Sequence, residues 1–190
     1  MTKLAILPLY FIISISHILL GQDAVPHKWK EIIPGGDTIC ARGDEFSFFV
    51  HPGSSDKIVI DFIGGGACWN DITCAEGTAT FTDKVDELKR RQKNGLGGIY
   101  DKENSQNPFK DWTHVVIPYC TGDIHWGHNT HTYQNDDGSE FIIHHKGAVN
   151  AKAVLNWVQN NIEDPQTIFI TGCSAGAYGA IYWSPFYREA

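Results

Sequence analysis

The stretch TGCSAGAYGA, residues 171–180, holds a serine at the centre of a Gly-x-Ser-x-Gly pattern. A serine hydroxyl is a weak nucleophile until a base takes its proton and the backbone lifts it clear of its neighbours. Glycines at 172 and 176 permit the sharp strand-to-helix turn that does the lifting, because bulky side chains there would clash. An apolar strand-like segment, Thr167–Ile170, comes before, and a run rich in Ala, Gly and Tyr from Gly176 onward reads as a closely packed helix. The N-terminal dipole of such a helix favours developing negative charge. Ser174 is therefore the candidate catalytic nucleophile. The five-residue spacing alone also fits an ordinary glycine turn; the strand and helix on either side favour the elbow.

Two upstream stretches could serve the same chemistry. In FIGGGACWNDITC, residues 62–74, glycines follow directly on an apolar β-branched run. Their N–H groups can point into a site, and acyl transfer needs two or three such donors for its tetrahedral oxyanion. Gly65, Gly66 and the residue after the serine, Ala175, are the candidate oxyanion hole. A phosphate loop is disfavoured, since there is neither a Gly-Lys-Ser/Thr ending nor a Gly-x-Gly-x-x-Gly leading into a helix. In IPYCTGDIHWGHNTHTY, residues 117–133, a polar loop follows a strand, at the sheet end where ligands usually bind. Asp123, His125 and Trp126, with Trp69 from the first loop, are expected to line a substrate pocket. His125, His128 and His131 are spaced by three, but Gly127, Asn129 and Thr130 argue against the helix that would place them on one face. No metal and no cofactor are expected. His144 and His145 read as boundary residues before a helix.

These residues need a scaffold. Strands are predicted at Glu45–Val50, Lys57–Ile63, Thr113–Ile117 and Thr167–Ile170, with a short extended piece at Phe141–Ile143. Helices are predicted at Thr82–Lys93, at Gly147–Asn160 (Ala151, Val154, Leu155 and Val158 on one stripe) and after Gly176. Asp61 interrupts the second strand with no partner evident from sequence. Alternating strands and helices indicate a single α/β domain with a mainly parallel sheet.

The chain has 190 residues, enough for one sizeable core, and a formal charge of −7 with both signs well mixed, which excludes the basic face of a nucleic-acid binder. At the N-terminus Lys3 precedes an apolar run, Leu4–Leu20, and a polar stretch begins at Gln22. The run is short for a membrane span and contains Ser14, Ser16 and His17, so residues 1–21 read as a signal peptide, leaving no membrane contact after cleavage. The domain is expected outside the cytoplasm, where its five cysteines are disulfide candidates, one left over.

The GGG-A-C-W-N loop, the PYCTGD segment and the GCSAG elbow, in that order, resemble the pectin acetylesterase and Notum family of secreted carboxylesterases. The resemblance spans roughly Cys40 to Trp183. It implies an α/β-hydrolase-like fold with helices on both faces of the sheet. It implies a serine hydrolase that removes O-acyl groups, acetyl in the first instance, from a glycan such as pectin or from a modified protein. Ser174 would match the nucleophile, and Gly65, Gly66 and Ala175 the oxyanion donors; some members carry Trp where this chain has Gly66. It also implies Cys68–Cys74 and Cys40–Cys120 bridges, leaving Cys173 unpaired. In this fold the acid and the histidine follow the serine along the chain, yet only Glu189 and no histidine follow Ser174 here. Residues 22–190 are therefore expected to be the N-terminal part of one domain, its C-terminal part missing, inactive alone and open at one sheet edge. The alternative is a secreted binding module holding a glycan on Trp69, Trp112 and Trp126.

Overall fold

The computed structural model describes residues 28–85 and 97–188. The proposed signal segment and all but the first residues of the helix expected at Thr82–Lys93 lie outside that description. Strand β3, Lys57–Phe62, lies inside the sheet with a parallel neighbour on each side. It pairs in parallel with β4, Thr113–Ile117, on one side and with β7, Thr167–Gly172, on the other. Beyond β4 the sheet turns antiparallel through β2, Phe48–His51, and β1, Lys30–Ile32. The order is β1-β2-β4-β3-β7, so β7 is an edge strand. The near-continuous apolar character of β3 and β4 follows from burial on both faces.

Helix α2, Gly147–Asn161, and helix α3, Ala175–Arg188, both pack on the face that carries Ile58, Ile60, Phe62, Val115 and Ile117. Val154, Leu155 and Val158 of α2 and Trp183 and Tyr187 of α3 fill that core. The resemblance implies helices on both faces; the other face, among the described residues, is covered by Trp29 and Tyr100, against Phe49, Val116 and Ile63. Asp61 points to this second face, where the Tyr100 hydroxyl donates to its carboxylate. Tyr100 ends a 3-10 turn, Gly98–Tyr100. A partner 39 residues away has no local sequence signal.

A second, two-stranded sheet adds a strand to the extended piece that the sequence indicates at Phe141–Ile143. The stretch read as a polar loop forms β5, Asn129–Gln134, which pairs antiparallel with β6, Glu140–His145. β5 is almost wholly exposed, so it lacks the apolar alternation that marks a half-buried strand. The structure contains the Cys40–Cys120 and Cys68–Cys74 disulfides, and Cys173 is a free, exposed thiol. No helix among the described residues is long and apolar enough to cross a membrane.

Candidate functional site

Parallel register brings the site together. Phe62 stands opposite Ile117 on one neighbour and Gly172 on the other. The loops that leave β3, β4 and β7 thus emerge side by side at the carboxyl ends of the strands, where α/β sheets bind ligands.

At the end of β7 the chain turns sharply. Ser174 has φ +55°, in the left-handed region that a non-glycine residue occupies only under constraint. A Cβ on Gly172 would lie 2.3 Å from the Gly176 carbonyl oxygen, and one on Gly176 would lie 1.9 Å from that of Phe62. Both elbow glycines are therefore required by contact, the first inside the turn and the second where α3 meets β3. The N–H groups of Gly176 and Ala177 donate to Cys173 and Ser174 carbonyls, closing the first helical turn. Ser174 is exposed, and its hydroxyl forms no hydrogen bond with any described imidazole or carboxylate. Ala175 is the first residue of α3, so its N–H has no partner within the helix.

The glycine loop after β3 adjoins this turn. A Cβ on Gly64 would sit 2.1 Å from the Cys173 oxygen and 3.0 Å from the Ser174 Cβ. Gly65 and Gly66 follow, Gly66 at φ +78°. Their carbonyl and backbone are tied outward: Thr82 N–H donates to Gly65 O at 2.7 Å, and Gly66 bridges Phe81. No hydrogen bond among the described residues uses the Gly65 or Gly66 N–H. The loop whose first glycine lies against Ser174 therefore carries two N–H groups that make no hydrogen bond among the described residues.

Beyond the glycines, helix α1, Asp71–Cys74, is started by a capping box in which Asn70 Oδ1 accepts from Thr73 N–H and Thr73 Oγ1 accepts from Asn70 N–H. The Cys68–Cys74 bridge closes this turn, and Arg42 braces it through Asp83 at 2.6 Å and the Cys74 carbonyl at 2.9 Å. Trp69, on this loop, is 68 % exposed.

The loop after β4 departs from its reading as a pocket wall. His125 is 2 % exposed and faces the core, its Nε2 2.9 Å from the Ile63 carbonyl oxygen. Burial pushes its pKa below the ordinary histidine value, against the pull of its hydrogen bond and of Asp123. The Asp123 carboxylate is consumed internally: it accepts from Thr121 Oγ1 at 2.7 Å, His125 N–H at 3.2 Å and Gly147 N–H at 2.6 Å, the last at the start of α2. Trp126 is the exposed member, its indole N–H donating to the Tyr178 carbonyl on α3 and its ring beside Tyr182. Trp112 precedes β4, at the opposite end of the sheet from the glycine loop, edge-on to Phe109. The three tryptophans of the binding-module reading do not share one surface.

His128 and His131 are exposed, and His131 lies against Tyr133 on the hairpin. His145 is more than a boundary residue: it contacts the Thr121 carbonyl and the Tyr133 hydroxyl. Its imidazole and the sulfurs of Cys68 and Cys74 lie within 4.8 Å of one another, but the sulfurs are joined to each other.

Residues 32–189 match the family model for pectinacetylesterase. Pectin acetylesterase 11 of Arabidopsis thaliana is 26% identical over 180 residues, covering 90% of this chain and 43% of the relative. The palmitoleoyl-protein carboxylesterase Notum of Schmidtea mediterranea is 27% identical over 147 residues, covering 75% and 27% respectively. A crystal structure of the Wnt deacylase Notum from Drosophila superposes with TM-score 0.59 at 20% identity, over 86% of this chain and 47% of that one. That likeness supports the α/β-hydrolase-like fold. This chain spans less than half the length of each of these proteins.

Proposed function

Since this chain belongs to the pectinacetylesterase family, we propose that it is the part of a secreted serine esterase that carries the nucleophile and the oxyanion donors, acting on O-acetyl groups of a polysaccharide such as pectin. The observation that carries this reading is the exposed Ser174 at φ +55°, packed against Gly64 at the head of the glycine loop. In the proposed reaction the Ser174 oxygen attacks the ester carbonyl and its proton passes to a base. Gly65, Gly66 and Ala175 N–H groups receive the oxyanion, the alcohol leaves with a proton, and water then releases the acid from the acyl-serine. No described group stands in hydrogen-bond contact with Ser174 to serve as that base. The disulfides fit an extracellular setting.

The test is acetate release from acetylated pectin, with p-nitrophenyl acetate turnover alongside. Both are measured on the 190-residue chain and on any longer product of its reading frame, each beside Ser174→Ala. Release that Ser174→Ala lowers by at least about 10³-fold is expected of the catalytically complete protein. Turnover indifferent to that substitution, or none from any product, overturns the reading.

A further inference from the structure

We propose that His125 is a positioning residue that locks the glycine loop to helix α3 and so sets the register between Ser174 and the oxyanion donors. This deepens the esterase reading and rests on it for its catalytic consequence. A carbonyl oxygen only accepts, so the 2.9 Å contact with Ile63 O requires the proton on Nε2. Ile63 is the residue before Gly64, and its own N–H makes the last ladder bond, to Ile117 O. Holding its carbonyl fixes the planar peptide unit that opens the glycine loop. The other side of the imidazole meets α3: a Cβ on Gly179 would lie 2.8 Å from His125 Cδ2. Trp183, one turn further, donates its indole N–H to the His125 carbonyl at 3.0 Å. Phe62 packs edge-on against the ring at 5.1 Å, and Tyr119 lies 5.0 Å away. One buried side chain thus touches the end of β3, the start of the glycine loop and the helix that begins at Ala175.

The conformation is held under strain, as a wedge with a required orientation would be. Ile124 and His125 have φ +54° and +64°, each costing about 1–2 kcal/mol for a non-glycine residue. The Tyr119 hydroxyl accepts the Ile124 N–H and Asp123 accepts the His125 N–H, securing the pair. A histidine retained only to fill space would need neither the left-handed backbone nor a glycine opposite its ring. Burial also disfavours its charged form, so the imidazole stays a neutral, single-donor strut across neutral pH.

The experiment compares the protein with His125→Phe, which keeps a ring without the donor, and His125→Gln, which restores a donor. Amide hydrogen exchange is followed at Ile63, Thr82 and Ala177, whose bonds tie the loop and the first turn of α3, with Leu155 of α2 as control. In His125→Phe, exchange at the three reporters is expected to rise at least about tenfold while Leu155 changes less than about twofold; His125→Gln is expected to recover most of the protection. In a product with Ser174-dependent turnover, kcat should fall about 10²-fold in His125→Phe with KM little changed. Exchange that rises equally at Leu155, or not at all at the reporters, overturns the proposal. So does a kcat that His125→Phe leaves unchanged. Confined exchange together with an absence of esterase activity in the unsubstituted protein overturns the esterase reading while the anchoring stands.

Discussion

Ser174 holds a left-handed backbone because Gly172 and Gly176 close against carbonyl oxygens on either side of it. Both opposing atoms are backbone, and Gly176 is the tighter of the two, at 1.9 Å from Phe62 O against 2.3 Å for Gly172. Gly176→Ala is expected to cost about 2–4 kcal/mol in urea unfolding. Gly77→Ala, at φ +84° with nothing within 4 Å, is expected to cost only about 1 kcal/mol, for the backbone conformation alone. A second residue-scale prediction concerns acid. His114 is fully buried, with Nδ1 lacking a hydrogen-bond partner among the described residues. Burial first, and the nearby Lys102 charge second, lower its pKa from 6.5 to about 3. The unfolded chain therefore binds a proton between those values that the folded chain refuses. Stability present above pH 6.5 is lost as pH falls toward about 3. His114→Phe should flatten the fall in urea midpoint between pH 6.5 and 4; an unchanged slope would count against the assignment.

Elements in this molecule are finished by groups far away in sequence. Helix α2 begins at Gly147 without a side-chain cap from Lys146, and Asp123, 24 residues earlier, accepts the Gly147 N–H instead. Asp123→Ala is expected to destabilise by about 1–3 kcal/mol and Asp123→Asn by less, read from denaturant midpoints at constant m-value. Helix α3 contains Pro185, which cannot donate to Ile181; the Ser184 hydroxyl takes that carbonyl at 3.2 Å. Helix α3 therefore survives a residue that reads as a helix breaker.

For the whole molecule, the two disulfides act on different scales. Cys40–Cys120 spans 80 residues and joins the N-terminal segment to the loop after β4, whereas Cys68–Cys74 spans 6 and closes one turn. In the chain-entropy account the long bridge contributes about 4–5 kcal/mol and the short one about 2. Replacing both cysteines of the long bridge with serine should lower the thermal midpoint about twice as far as the same change at the short one, measured by circular dichroism. At the other end of the sheet β7 is an edge among the described residues, flanked by a groove of about 650 Å³ whose lining mixes apolar Val158, Ile162, Ile168, Ile170 and Tyr187 with polar and charged groups such as Gln159, Glu163, Asp164 and Arg188. Phe169 is 40 % exposed beside it.

The elbow, the glycine loop, the four main sheet strands around them and the two long helices are legible in the residues alone. Each is written in short-range pattern: apolar runs, helical stripes, and glycines where backbones must touch. The order of those strands in the sheet, the hairpin, and the roles of Asp61, Asp123 and His125 depend on contacts between distant parts of the chain. A histidine after a strand reads as a solvent-facing site residue because sequence shows its neighbours along the chain. What makes it a buried strut is Ile63, 62 residues away, and Gly179 and Trp183, 54 and 58 residues away, which folding alone brings to it.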